Sequence, residues 1–417
     1  MADKKILLIA FRFPPMGGVG SRRWAKFVKY LSRRNYKIHV VTIKYPYADK
    51  INWEYDVRGK NNITIHRIKS GCPSFLISPP SLFSKIASRL FNKTYGQLFF
   101  YLDYAQGWHR HLIPYARKLI RSEGIQNVIA TGPPSSVHYT ATYLKIENPL
   151  INLIQDFRDS WNDDIDYEYG TSLGYFSQKE KSVMMEDFSL MHTDKVCFVT
   201  QDIKERYENI YDMFRRKFHV IHNGYDREDY KVAHEGPSDF TFSMVYTGNM
   251  GLGREKFIPL FAEVIQKKND EYINRNLKIV LYSNLKRDSF RHDQYWDAIN
   301  KHFIFNDFIP SEEIADIIAK HPYCLSINSE KYPYAFGTKI FDYMGLGKKI
   351  IHISNGGELY DILNDRGHFV STYDIQDVSS TLLRIKNDFM NFQNKQTFFP
   401  EFDIEKLTDK IEILLQE

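Results

Sequence analysis

Cysteine is scarce in this chain: three among 417 residues. Cys72, Cys197 and Cys324 are far apart and odd in number, so a disulfide framework is not indicated. Cys197 and Cys324 fall inside strand-like runs, where buried thiols are expected. Long hydrophobic runs are missing too. None approaches the roughly 20 residues that a membrane-spanning helix needs. The apolar stretch from Ile6 to Phe11 is too short for a signal peptide and reads as a first strand. Metal-ligand spacing is absent: His109, His111, His219 and His222 lack companion cysteines or carboxylates. There is no Walker A loop, no known nucleic-acid motif, and Thr131-Gly-Pro-Pro-Ser-Ser136 is not a nucleophile elbow.

Acidic residues are thin in one place. Residues 1–120 hold 22 Lys and Arg against 5 Asp and Glu, whereas the remainder holds 34 against 46. The net charge is only +5, but the molecule is polarised. A basic first quarter is either a solvated surface or one drawn to an anionic partner. From Phe75 to Tyr115 the basic residues alternate with bulky apolar ones. Leu82, Ile86 and Leu90 would form one stripe of a helix, with Lys85, Arg89 and Lys93 around it. An interfacial membrane helix and an ordinary core helix both fit this pattern. Among anionic partners a membrane surface is favoured over nucleic acid. The expected location is the cytoplasm, peripheral on the inner face of the membrane.

What is present is an alternation of short β-branched runs with helical periods, the pattern of parallel sheets in an α/β protein. Strands are expected at Lys5–Phe11, Lys37–Ile43, Ile63–Ile68, Asn127–Thr131, Leu150–Gln155, Lys195–Val199 and Phe218–His222. Five more are expected at Phe242–Thr247, Leu277–Ser283, Tyr323–Asn328, Lys349–Ile353 and His368–Ser371. Trp24, Phe27, Val28 and Leu31 mark a first helix; Ile404, Leu407, Ile411 and Leu414 mark a last one. The turn His222-Asn-Gly-Tyr-Asp226 and the polar stretch after it suggest a boundary. The expected domains are residues 1–220 and 221–400, with a terminal helix over 401–417.

Three glycine-bearing segments carry the chemistry. The first, Phe13-Pro-Pro-Met-Gly-Gly-Val-Gly-Ser21, joins a strand to the first helix, where Gly18 allows close backbone approach to an anion. Arg23 stands where a dinucleotide fingerprint wants its third glycine, and no acid follows the second strand. Both argue against a nicotinamide cofactor. The second is Tyr246-Thr-Gly-Asn-Met-Gly-Leu-Gly-Arg-Glu-Lys256, with Gly248 and Asn249 in the loop and Arg254 and Lys256 after it. Basic side chains beside a glycine loop suit a diphosphate. The third is Phe336-Gly-Thr-Lys-Ile-Phe-Asp-Tyr-Met-Gly345. Gly337 permits close approach, Thr338 can cap a helix, and Lys339 and Asp342 share one helical face. A cation and a carboxylate so placed would hold a diphosphate and a ribose diol.

Together these segments resemble the retaining glycosyltransferases of family 4, surface-polysaccharide type. Asp156-Phe-Arg-Asp-Ser-Trp161, Val220-Ile-His-Asn-Gly-Tyr-Asp226 and Tyr246-Thr-Gly-Asn-Met-Gly251 are similar to its motifs, in order along nearly the whole chain. So are the first loop and Lys339–Lys348. The resemblance implies a GT-B fold: two Rossmann-like domains facing across a cleft, with the last helix returning to the first domain. It implies that the second domain holds a nucleotide sugar and the first a glycan or lipid-linked acceptor, without metal or cofactor. Same-face attack, assisted by the departing phosphate, would retain the anomeric configuration. In this reading Arg254 and Lys256 neutralise the leaving diphosphate and Asp342 holds the ribose. Asp159 orients the acceptor; the plainer alternative for it is a capped turn or an ion pair with Arg158. The family often carries two glutamates, and here Tyr334 and Asp342 stand in their places. A nucleotide-sugar epimerase of the same fold and a non-catalytic sugar-nucleotide-binding protein are the alternatives.

Overall fold

A computed structural model of the chain describes residues 4–45, 48–49, 52–71, 77, 103, 105–162, 175–230, 240–309, 311–392 and 396–416. Two compact units result: Met1–His222 with Ile404–Glu417, and Asn223–Asp403. The stripe Leu82, Ile86 and Leu90 lies outside the described residues, as does Cys72. No described helix is long and apolar enough to cross a membrane.

The first unit is built on seven strands. They are β1 Lys5–Ala10, β2 Lys37–Ile43, β3 Ile63–Ile68, β4 Asn127–Gly132, β5 Asn152–Phe157, β6 Lys195–Phe198 and β7 Phe218–Val220. Their order is β3-β2-β1-β4-β5-β6-β7, all parallel. A parallel sheet is covered on both faces, which is why these runs are nearly all apolar. Ile6, Leu8 and Ala10 of β1 face one core, with Trp24, Phe27 and Leu31 of the helix Val19–Arg33. Leu7, Ile9 and Phe11 face the other, with Leu112 and Ala116 of His109–Glu123 and Val137 and Ala141 of Ser136–Glu147.

The last helix, Ile404–Gln416, belongs to this unit. Leu407, Ile411 and Leu414 complete the core that contains Trp24 and Phe27. Arg34 fixes its outer side, with ion pairs of 2.7 Å to Asp409 and 2.5 Å to Glu412. Burying each of those apolar side chains contributes roughly 1.5–3 kcal/mol, so burial outweighs the surface pairs, worth at most about 1 kcal/mol each.

The second unit repeats the plan with β8 Ser243–Thr247, β9 Lys278–Tyr282, β10 Phe303–Asn306, β11 Tyr323–Ile327, β12 Lys349–Ile353 and β13 Phe369–Ser371. Their order is β10-β9-β8-β11-β12-β13, again parallel. Met244 and Tyr246 of β8 meet the helices Phe257–Lys268 and Ile375–Met390; Val245 meets Lys339–Gly345 and Glu358–Asp365. All twelve expected strands form, with ends shifted by up to two residues. β10 is a thirteenth that the sequence reading missed. It is a four-residue edge strand paired only with β9, and it follows the helix Trp296–His302 directly. Its outer edge needs no long apolar run, so it left little signal.

Both sheets reverse strand order once, between β1 and β4 and between β8 and β11. Open α/β sheets bind ligands outside the carboxyl ends of their strands at such a reversal.

Candidate functional site

In the second unit, β8 runs into Gly248, whose φ of +127° disfavours any other residue. The Lys339 side chain lies directly on this glycine: a Cβ there would sit 1.5 Å from Lys339 Cε and 1.6 Å from Nζ. Any side chain at 248 would therefore displace the lysine. The lysine Nζ also stands 5.2 Å from the Tyr246 ring centroid. The Tyr246 hydroxyl donates to the Asn249 carbonyl at 2.7 Å, and Met250 N–H donates to Asn284 Oδ1 at 2.8 Å, so the loop is held by its own bonds.

Arg254 reaches back under the same loop. Its Nε donates to the Ile327 carbonyl at 3.1 Å, at the end of β11, and Nη1 donates to the Gly251 carbonyl at 3.2 Å. Two cations thus meet at the reversal point. Burial, and then the charge of Arg254, push the Lys339 ammonium down to about 8, with Asp342 pulling the other way. Among the described residues, no carboxylate pairs with Lys339 or Arg254.

Gly337 is exposed and a Cβ there would meet nothing within 4 Å. Thr338 does not cap: it has helical dihedrals (φ −60°, ψ −22°) and its side chain makes no cap bond. The helix it precedes has only seven residues. The anion-holding capacity therefore rests on the two cations and not on a capped helix end. Asp342 accepts a 2.5 Å hydrogen bond from the Tyr230 hydroxyl. Lys256 points outward and pairs with Glu330 at 2.7 Å, which raises its pKa. So Gly248, Asn249, Arg254, Gly337, Lys339 and Asp342 stand at the carboxyl end of the sheet, by the reversal between β8 and β11, and Lys256 turns outward to Glu330.

Residues that the sequence did not single out stand at the same end of the sheet. Ser329 is buried, its Oγ has no hydrogen-bond partner among the described residues, and it lies behind Gly253. The Tyr373 hydroxyl donates to the Asn328 carbonyl at 2.5 Å, fixing the loop after β11. Neither stood in a motif; only the fold brings them here.

The first unit meets its own loop with its own acids. Gly17 N–H donates to Asp49 Oδ2 at 2.6 Å. Ser136 donates to Asp103 through N (2.9 Å) and Oγ (2.5 Å) at the start of a helix. Arg23 and Asp156 form a buried pair at 2.8 Å, joined by Trp24 Nε1 (2.7 Å) and Thr131 Oγ1 (2.9 Å). Gly18 precedes the first helix with φ 95° and open space around it. Arg158 Nε donates to the Gly132 carbonyl at 2.6 Å, and its guanidinium lies over Gly20. Asp159 is 69% exposed and 4.0 Å from Arg158 Nη2, a weak pair. Among the described residues just past β5 it is an accessible carboxylate.

No protein-family profile and no curated protein matches the chain. Solved structures do. A glycosyltransferase from Rickettsia africae ESF-5 is similar over 100% of this chain and 99% of its own, with 15% identity and a TM-score of 0.62. The catalytic domain of starch synthase IV from Arabidopsis thaliana, bound to ADP and acarbose, covers 99% and 98%, with 12% identity and a TM-score of 0.57. The UDP-GlcNAc 2-epimerase of Neisseria meningitidis, bound to UDP-GlcNAc, covers 99% of each, with 11% identity and a TM-score of 0.55. These likenesses establish the fold, the glycosyltransferase-type GT-B fold with two Rossmann-like domains.

Proposed function

We propose that this protein is a retaining glycosyltransferase of the family 4 type. It moves a sugar from a nucleotide-diphosphate sugar to a glycan acceptor, lipid-linked, in cell-surface polysaccharide synthesis. The observation that supports this most is the contrast between the units. In the first, the N–H groups of Gly17 and Ser136 and the buried guanidinium of Arg23 are met by Asp49, Asp103 and Asp156, and Arg158 has a weak pair with Asp159. In the second, Lys339 and Arg254 converge at the strand reversal, and among the described residues neither forms an ion pair, Asp342 acting on Lys339 only from a distance. An anionic ligand is what that arrangement lacks, and a diphosphate supplies it.

In this reading Lys339 and Arg254 bind the diphosphate and stabilise the charge that grows on it as the sugar leaves. Lys256 adds charge when it exchanges Glu330 for phosphate. Gly337 gives the backbone access to the sugar, and Asp342, tied to Tyr230, meets the ribose. Asp159 orients the acceptor. The protein supplies positioning and electrostatics, with no covalent intermediate. No metal or cofactor is called upon.

The first test is a thermal-shift screen with UDP-, GDP-, ADP- and dTDP-sugars, without metal or acceptor. One of them is expected to stabilise the protein, by about 2.7 kcal/mol at a hundred times its Kd. No stabilisation by any of them would sink the reading. The epimerase of the same fold favours a second outcome. Conversion of the donor sugar to its epimer in the absence of acceptor would replace transfer by epimerisation.

The basic first quarter is proposed to sit on an anionic membrane surface. Co-sedimentation with vesicles should then require anionic lipid and weaken as salt rises from 0.05 to 0.5 M, roughly. Binding indifferent to both would remove the membrane from the proposal.

A further inference from the structure

Glu186 is a carboxyl group that the proposed chemistry does not use. It lies on the helix Tyr175–His192 and is 1% exposed. A carboxyl buried this deeply must be satisfied by donors. Three reach it. The Tyr207 hydroxyl donates a short bond to Oε1, Asn162 Nδ2 donates to Oε2 at 2.7 Å, and the Tyr211 hydroxyl donates to Oε2 at 3.3 Å.

Two of these contacts lead to the segment after β5. Tyr207 receives the Trp161 backbone N–H at 2.8 Å while it donates to Glu186. Asn162 is the next residue. One turn earlier on the same helix, Ser182 accepts from Trp161 Nε1 at 3.0 Å. The Trp161 ring packs against Phe157 (5.9 Å) and His138 (6.1 Å). The other end of the segment is fixed by Arg158 on the Gly132 carbonyl. Asp159 is therefore the exposed residue between two anchored ends, and Glu186 is the hub of one of them.

We propose that Glu186 is a positioning residue for the first unit's candidate site: through Tyr207 and Asn162 it fixes the backbone that presents Asp159. The inference rests on the proposed role of Asp159 in the transfer reaction. All three contacts are donors, so the bonding pattern fits a carboxylate. Protonation would take one acceptor site from these three donors. Burial, with Asp187 adding to it, raises this carboxyl to about 7 against the bonds from Tyr207, Asn162 and Tyr211. The titratable groups facing it among the described residues are Tyr207, Tyr211 and Asp187. The anchor is therefore set to tighten as pH rises through neutrality.

Deuterium exchange of peptides spanning residues 157–162, corrected for intrinsic rates, tests this in the full-length protein. Wild-type protection should be higher at pH 8 than at pH 6. Glu186→Gln places an amide N–H₂ against donors, and should lower protection about tenfold, the worth of one charged bond, with no remaining pH dependence. Tyr207→Phe removes the relay while keeping the carboxyl, and should expose the Trp161 amide alone. Adding Asn162→Asp to Glu186→Gln reverses donor and acceptor and should restore protection. Wild-type protection in Glu186→Gln, or no rescue in the double variant, would overturn the proposal. Calorimetry with the nucleotide sugars separates the two failures. Donor binding belongs to the second unit and should survive all these changes; its absence in the wild type would sink the functional reading and leave the anchor standing.

Discussion

Lys339→Met is expected to stabilise the free protein and to weaken its hold on a nucleotide-diphosphate sugar. The two effects have opposite signs because they share one cause. The folded chain holds the Lys339 ammonium in a partly dry site beside Arg254, and its pKa falls to about 8 from 10.5. A depressed lysine pKa means that folding disfavours the charge. Below pH 8 the protein carries this cost in full, and the cost is relieved as pH rises from 8 toward the unfolded value. Methionine keeps the stem that covers Gly248 and removes the charge. At pH 7 the gain should be about 1–3 kcal/mol, read as a higher urea midpoint. Binding should drop by roughly 10–100-fold, the worth of a charge-assisted bond to phosphate.

The pH dependence supplies an internal control. Wild-type affinity for the donor should fall as pH rises through about 8, while Lys339→Met should show no such fall. Wild-type stability should gain on the variant over the same window. Calorimetric titrations at pH 7 and pH 9 measure the first effect. A variant that binds as tightly as wild type removes Lys339 from the site.

Close backbone approach and helical spacing leave marks in a sequence, and these picked out the candidate residues. Gly248 stood out as a glycine in a strand-to-helix loop, and Lys339 with Asp342 by their three-residue interval; that the Lys339 side chain lies on Gly248 shows only in the fold. Strands showed equally well wherever both faces are buried, since the apolar run then has no interruption. Other features were not legible, for physical reasons. Thr338 is a good capping residue by type, but its backbone is already helical and its hydroxyl caps nothing. Arg254 and Lys256 are two residues apart, and nothing local says which of them matters more. Only the fold shows that one turns in to the Ile327 carbonyl and the other turns out to Glu330. Tyr373 and Glu186 act through partners distant in sequence, and no local pattern announces such contacts. Arg23 had read as a missing glycine; it is a buried ion-pair partner.

That pair carries the other large expected effect. Asp156 accepts from Arg23 Nε (3.1 Å) and Nη2 (2.8 Å), from Trp24 Nε1 and from Thr131 Oγ1. Arg23 also donates from Nη2 to the Ile221 carbonyl and from Nη1 to the His222 carbonyl, both at 2.8 Å. The pair so ties the first helix to the ends of β4 and β5 and to the last residues before the second unit. Asp156→Asn leaves the guanidinium buried without its counter-charge, which should cost about 3–5 kcal/mol; Arg23→Met should cost as much. The double change Arg23→Met with Asp156→Leu should cost far less than the sum, because neither charge is then stranded. Burial by itself would raise the Asp156 pKa, but the charge of Arg23 and the bonds from Arg23, Trp24 and Thr131 outweigh it and hold it below the usual value. The stability this group supplies is therefore complete above the ordinary aspartate range and lost as pH falls toward the folded value. Four of the five tryptophans lie in the first unit, so urea unfolding followed by tryptophan fluorescence reports mainly on it. Single variants within about 1 kcal/mol of wild type, or a double variant equal to the sum, would show that the pair is not the tie. The motif residues Arg23 and Asp156 would then have to be placed in the chemistry of the acceptor instead.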